Sequence, residues 1–456
     1  MQSRRKFIKQ SIAVSVGFSG LSQYLIGCST GVQSAESANG LIRSKEWLDL
    51  PEGFSYKVIS KWGNPMSDGF LVPGLADGMA AFDEGGKVVL VRNHEISPGD
   101  PEYGPFGKDE SLLGNLKKEQ FFDFGFGKKP CIAGTTNLVF NEATQELEEE
   151  YLSLVGTIRN CAGGPTPWNS WITCEEDTTP LGKRNETSHG YNFEVPAGAK
   201  GLIEPIPIKA MGRFNHEAVC VDPKTSIVYQ TEDRGDSLIY RYIPDVLGNL
   251  HKGGTLQALA IKGESSVDTR NWESQAVNVN DELEVTWIDL EDIDSPNDDL
   301  RIRGAESGAA VFARGEGMWY GNDEVYFACT SGGSNQTGQV FKYIPSAFEG
   351  TAKEAEDPGK LILFAEPNDE EILKYCDNLT VSPWGDVVLV EDAKDSYMRG
   401  ITPEGKIYTI ARNIGSEGEM AGVCFSPSGN TLFVNIQGEG LTLAITGPWE
   451  NLRNQA

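Results

Sequence analysis

The chain has few histidines, few basic residues and no apolar run long enough to cross a membrane. Four histidines in 456 residues leave little imidazole for a His-built zinc site, so hard, oxygen-seeking ions such as Ca²⁺ fit the composition better. Lys and Arg together number 39 against 66 Asp and Glu, for a net charge of −27. A balance so acidic excludes nucleic acid as a general partner, because phosphate backbones are held by Lys and Arg. Helical periodicity is almost absent, as are a Ser-His-Asp arrangement and a GxSxG elbow, so an activated serine is not expected. No CxxC surrounds Cys161, which sits alone in the Gly-rich "RNCAGG" (159–164).

Glycine and proline are abundant, at 52 and 23 residues, which suits many short strands joined by turns. The length allows one large all-β domain or two to three ordinary ones. After the N-terminal 45 residues one unit recurs: apolar strand, turn, second apolar strand, polar or acidic end. Six such units occur, at 77–95, 161–177, 217–233, 306–330, 377–392 and 419–440. Central turn signals include Asp222-Pro223, Ser382-Pro383 and Ser426-Pro427. Six hairpin-centred repeats predict an all-β, six-bladed β-propeller over residues 46–456, with 99–129 and 263–296 as long inserted loops. A β-sandwich or two smaller sheets are the competing architectures.

The N-terminus reads as an export signal. Arg4-Arg5 is followed by Phe7, Ile8 and Lys9, then by a weakly apolar stretch over 12–26 that is too short and too polar for a stable span. It ends in Leu25-Ile26-Gly27-Cys28, which resembles a bacterial lipobox. The expectation is a twin-arginine lipoprotein signal over 1–27, lipidation of Cys28 and a flexible tether over 28–45. The mature protein would then be a periplasmic or cell-surface lipoprotein. Cys28 apart, seven cysteines remain, an odd number that leaves at least one outside any intramolecular bridge. Cys174, Cys220, Cys329 and Cys424 lie in apolar runs and read as small buried hydrophobes.

In a propeller the innermost strand of each blade starts at the face where the next strand ends. The unit starts are Asp77, Cys161, Glu217, Glu306, Asp377-Asn378 and Glu419. The ends are Glu95, Glu175-Glu176, Glu232-Asp233, Thr330, Glu391-Asp392 and Gln437. Around one channel mouth these groups converge, and so many carboxylates cannot all stay ionised without bound cations. The candidate metal ligands are therefore Glu95, Cys161, Glu175, Glu217, Glu306, Asp377, Asn378, Glu391 and Glu419. Cys161 is the soft member of an otherwise hard set, which points to one transition metal beside several Ca²⁺ ions.

"RNHE" (92–95), "NCAGG" (160–164), "WITCEE" (171–176), "GRFNHEA" (212–218), "YQTEDRGDSLIYRY" (229–242) and "DNLTVSPWGDVVLVED" (377–392) together resemble the PhoX family of bacterial alkaline phosphatases. The resemblance implies a six-bladed propeller with two Fe³⁺ ions sharing a cysteine thiolate, and three Ca²⁺ ions nearby. By position Cys161 matches the bridging cysteine, Glu217 an acidic ligand, and Asp377 and Asn378 an Asp-Asn ligand pair. Glu306 would match the glutamate of an Arg-Pro-Glu motif, but "RIRGAES" (301–307) sets Arg303 one residue too far away. Arg303 is nonetheless expected to bind the phosphoryl group. The implied function is extracytoplasmic release of phosphate from small phosphomonoesters by a lipid-anchored monomer. A calcium-only lactonase or phytase, distinguished by iron content, and a non-catalytic binding propeller are the alternatives.

Overall fold

The computed structural model describes residues 40–453 apart from residues 45 and 183. The signal, the lipobox with Cys28 and nearly all of the tether fall outside the described residues. From residue 41 onward the chain is built mainly of strands.

Hairpins form at all six expected places. Ala76–Glu84 pairs with Lys87–His94, Asn160–Pro165 with Ser170–Glu175, and His216–Val221 with Val228–Glu232. Gly315–Gly321 pairs with Glu324–Cys329, Cys376–Val381 with Val387–Glu391, and Met420–Phe425 with Thr431–Ile436. The predicted turn residues close these hairpins. Asp222 accepts the Lys224 N–H at 2.8 Å, while the Ser382 and Ser426 carbonyls accept Gly385 and Gly429 N–H at 3.0 and 2.8 Å. The closures set the register that puts every apolar face inward.

The first strand of each hairpin is innermost. The six inner strands pack side by side in a closed ring, with Met420–Phe425 returning to lie against Ala76–Glu84. Apolar side chains fill the spaces between successive hairpins, as where Phe140 meets Phe433 edge-on with centroids 5.2 Å apart. The architecture is all-β and propeller-like.

Hydrogen bonding does not divide the described residues into six separate sheets, as the repeats predict. There are five, of six, three, nine, four and four strands. The reason lies in residues 263–296, which are not all loop. Glu282–Asp289 is a strand, bonded on one side to Gly254–Ile261 and on the other to Lys360–Ala365. It thereby covers the exposed edges of two neighbouring hairpin sheets and joins them into one of nine strands. The other insertion, 99–129, is built of short 3-10 turns such as Pro101–Tyr103 and Leu113–Asn115.

Two N-terminal strands complete sheets made by the C-terminal part of the chain. Ser55–Lys61 pairs with Leu441–Thr446, and Leu48–Pro51 with Ile407–Asn413.

Candidate metal centre

All six inner strands break register at the same place. Two residues oppose one across the hairpin: Asp77-Gly78, Cys161-Ala162, Glu217-Ala218, Glu316-Gly317, Asp377-Asn378 and Gly422-Val423. A β-bulge bends its strand and re-aims the side chain it carries. Here the first bulge residue lines the channel mouth in five strands, giving Asp77, Cys161, Glu217, Glu316 and Asp377.

In four strands the second bulge residue is Gly or Ala (Gly78, Ala162, Ala218 and Gly317), because neighbouring strands nearly touch there. A Cβ on Gly78 would lie 2.6 Å from Ala162 Cα, and one on Gly317 would lie 2.6 Å from the Asp377 carbonyl. In the sixth strand a Cβ on Gly422, where φ is +62°, would lie 2.3 Å from the Asp77 carbonyl. No side chain fits at that corner, and Glu419, just before the strand, faces the mouth instead.

The second strand of each hairpin adds an outer tier. Alternate residues of a strand face opposite sides, so each terminal doublet divides. Glu95, Glu176, Asp233 and Asp392 line the mouth, while His94, Glu175, Glu232 and Glu391 turn into the structure.

Several predicted site residues are therefore placed elsewhere. Glu175 is fully buried and accepts N–H groups from Ile158, Gly190 and Tyr191 as well as His189 Nδ1 at 2.6 Å. Glu391 accepts from Arg399 Nε at 3.0 Å and from the Lys374 and Tyr397 amides. Glu306 ends the short helix Leu300–Glu306 and is exposed. Arg303 lies on the same helix, where Asp299 and the carbonyls of Glu291 and Asp292 take its guanidinium. None of the four lines the cavity. The fourth unit starts ten residues later than its first acid suggests, at Arg314-Gly315-Glu316, which restores the Arg-x-Glu spacing that 303–306 lacks. Asn378 is at the ring but works sideways. Its amide donates to Asp377 Oδ1 at 2.8 Å, and its Oδ1 accepts Gly422 N–H at 2.5 Å, tying the fifth strand to the sixth.

Two arginines that sequence reasoning missed, Arg159 and Arg314, complete the lining. Each precedes a ring residue by two positions, and each has a left-handed backbone, with φ of 46° and 55°. Arg159 donates to Glu95 Oε1 at 2.8 and 3.0 Å and also pairs with Glu176. Arg314 clasps both oxygens of Asp233 at 2.7 and 2.8 Å and reaches Glu316 at 3.0 Å. The signal for them was "RNC" and "RGE", an arginine two residues before a ligand-type residue.

The resulting cavity, ≈ 420 Å³, is lined by Asp77, Glu217, Glu316 and Asp377 from the carboxylate ring, by Cys161, and by the outer acids and the two arginines. Ligand-type atoms meet in overlapping triads within 4.8 Å: Cys161/Glu176/Glu217, Glu217/Glu316/Asp377, Asp377/Asp392/Glu419 and Asp77/Glu95/Glu419. The electrostatics are correspondingly adverse. Burial first, then the carboxylates around them, pushes Asp77, Glu217, Glu316 and Glu419 well above the usual carboxylate range. Burial and neighbouring acids raise Glu176 and Asp377 to about 8, against the pull of Arg159 and Arg314. Burial, Glu217 and Glu176 likewise hold Cys161 as a thiol, its Sγ 3.5 Å from the His216 carbonyl. Two guanidinium groups cannot neutralise the nine carboxylates that line the cavity. The set fits multivalent cations, with oxygen donors for hard ions and one thiolate for a softer one.

Solved structures that match the chain do so at low identity and low TM-score. A putative gluconolactonase shares 10% identity at a TM-score of 0.42, covering 87% of this chain and 93% of its own. A Xanthomonas campestris gluconolactonase shares 11% at 0.40, covering 90% and 99%. A luciferin-regenerating enzyme shares 11% at 0.42, covering 87% and 96%. No curated protein matches the sequence. The family model for alkaline phosphatase PhoX matches residues 37–111 and 132–440, a span that holds every residue of the carboxylate–thiol cavity, and the chain belongs to that family of phosphate-ester hydrolases.

Proposed function

We propose that this alkaline phosphatase releases phosphate from small phosphomonoesters outside the cytoplasm at a mixed iron–calcium centre in the channel mouth. The observation that carries the reading is the ring itself: five of the six bulged strands deliver four carboxylates and one thiol to one point. Cys161, Glu176 and Glu217 would hold iron. The all-carboxylate triads on Asp377, Glu419 and Asp77 would hold Ca²⁺. Bound cations would supply the Lewis acid and the positive charge that stabilise a phosphoryl transition state. The protein's own groups bind and orient the ester. Arg159 and Arg314 each engage carboxylates through Nε and Nη2, which leaves Nη1 for a phosphoryl oxygen. Among the described residues no serine, threonine or histidine lines the cavity, and in this reading water would be the nucleophile. A calcium-only hydrolase would leave Cys161 without a role. Elemental analysis of the folded protein with a phosphomonoester assay tests the reading. Full activity in protein free of iron and calcium sinks it.

The altered placement of the fourth ligand gives a direct comparison. Glu316→Gln is expected to lower kcat/KM by about 100-fold or more, since even outer-shell changes at metal sites typically cost 10–100-fold. Glu306→Gln and Arg303→Ala should leave it within about twofold, as surface changes do. Equal rates for Glu316→Gln and Glu306→Gln would return the ring position to Glu306.

We also read the nine-stranded sheet as two four-stranded blades bridged by Glu282–Asp289, which makes the propeller six-bladed. The enzyme would act as an exported monomer anchored through Cys28. Fatty-acid labelling of cells should mark the wild type and not Cys28→Ser, and equal labelling removes the anchor.

A further inference from the structure

One cluster of ligand-type side chains lies apart from the channel mouth. Asp123, Cys131 and His189 are all fully buried, and one ligand atom from each lies within 4.8 Å of the others. Asp123 Oδ2 is 3.1 Å from His189 Nε2, and Cys131 Sγ is 4.0 Å from the same nitrogen. Asp123 and Cys131 fall in the stretch between the two segments that match the phosphatase family, and His189 falls in the second segment.

The other imidazole nitrogen settles what His189 can do. Nδ1 lies 2.6 Å from Glu175 Oε1, and that carboxylate also takes three backbone N–H groups, so it is an acceptor and Nδ1 carries the proton. Nε2 then faces Asp123 Oδ2, an atom that also can only accept. Two lone pairs do not rest 3.1 Å apart unless a proton or a cation lies between them. A proton would satisfy Asp123 and His189 and leave the buried thiol of Cys131 with only its long contact to Nε2 at 4.0 Å. A cation uses all three. Ligands about 2.0–2.3 Å from a tetrahedral zinc ion stand roughly 3.3–3.7 Å from one another, close to the spacings found here. The carboxylate on the far nitrogen is the arrangement that orients metal-binding histidines. Four residues before His189, Asn185 is buried, and neither its amide oxygen nor its nitrogen has a hydrogen-bond partner.

We propose that Asp123, Cys131 and His189 form a second, closed metal site for a divalent cation of borderline softness, with Zn²⁺ the best fit. It ties the stretch that carries Asp123 and Cys131 to the loop that carries His189. Through Nδ1 it also fixes Glu175, whose neighbour Glu176 lines the catalytic cavity. The site is structural, because no solvent reaches it and every ligand is buried.

The test uses the full-length protein purified without chelator. Zinc should be present in the wild type, absent in Cys131→Ser and retained in Cys161→Ala, which separates this site from the channel mouth. Co²⁺ exchanged for zinc should give a thiolate charge-transfer band that Cys131→Ser lacks. Anomalous scattering at the zinc edge from wild-type crystals reads the position without any substitution, so a variant that does not fold leaves the question decidable. Equal zinc in wild type and Cys131→Ser overturns the proposal. So does a wild type exposed to Zn²⁺ that shows no anomalous peak and an NMR signature of His189 protonated on both nitrogens.

Discussion

Cys161→Ala is expected to fold and to lose phosphatase activity by roughly 1,000-fold or more, beyond the 10–100-fold typical of outer-shell changes. The thiol sits at the first bulge position, where the other strands present carboxylates, and it shares a triad with Glu176 and Glu217. Removing it takes away the one soft donor of the cavity. Iron should be lost, together with any visible thiolate-to-iron absorption, while calcium stays. The fold should persist, because the residue beside Cys161, Ala162, and not the Cys161 side chain, makes the close contact between inner strands. Cys220→Ala is the control. That thiol lies in an apolar core, and its loss should cost about 1–2 kcal/mol through a small cavity with iron retained. Full iron and full activity in Cys161→Ala would make it an ordinary structural cysteine and remove the basis for assigning iron.

Protein stripped of metal should become less stable as pH rises from about 4 to about 8, the reverse of a protein held together by carboxylate ion pairs. The direction of the shifts sets the sign. Burial and like charge raise the folded-state pKa of Asp77, Glu217, Glu316 and Glu419, and bring Glu176 and Asp377 to about 8. A carboxyl with a raised folded pKa contributes stability that is complete below its unfolded value, near 4. That contribution is lost as pH climbs through the folded value. Each pKa unit is about 1.4 kcal/mol of preference for the proton, so the combined loss is on the order of several kcal/mol. Added Ca²⁺ should restore the melting temperature most at high pH, where the cavity carries most charge. Thermal melts of chelated and Ca²⁺-loaded protein across the acid-to-alkaline range check this. A chelated protein whose Tm is flat or rises across that range contradicts the carboxylate ring.

How much of this was legible in the sequence depended on local rules. The hairpins were readable because alternating apolar runs meet Asp222-Pro223-type turns, and both signals lie within one short stretch of chain. Asp77, Cys161, Glu217 and Asp377 were readable because each opens such a run. Glu306 was misread because an acid ahead of a strand looks the same whether it belongs to the strand or to a preceding helix. Only the bulge opposite Ala328 shows that Glu316 is the ring member. The doublets were ambiguous for another reason. Either residue of Glu175-Glu176 could face the mouth until the hairpin register, Asn160 opposite Glu175, fixed the alternation. Arg159 and Arg314 escaped because a left-handed residue before a strand leaves no mark on composition. The bridge formed by Glu282–Asp289 depends on two strand edges far apart in sequence, which no local pattern encodes.

The join between the chain's two ends bears on when the enzyme acquires its ions. The cavity draws residues from all six hairpins, and the last sheet is complete only after Ser55–Lys61 has paired with Leu441–Thr446. The triad Asp77/Glu95/Glu419 joins the first and last hairpins and needs nearly the whole chain, whereas Cys161/Glu176/Glu217 needs only the second and third. A cation at the Asp77/Glu95/Glu419 corner would therefore load late, from those around the protein when the ring shuts, since raw affinity alone discriminates poorly among divalent metals. A chain exported after folding would close that corner on a cation of the cytoplasm. One secreted unfolded would meet the whole set in a single compartment.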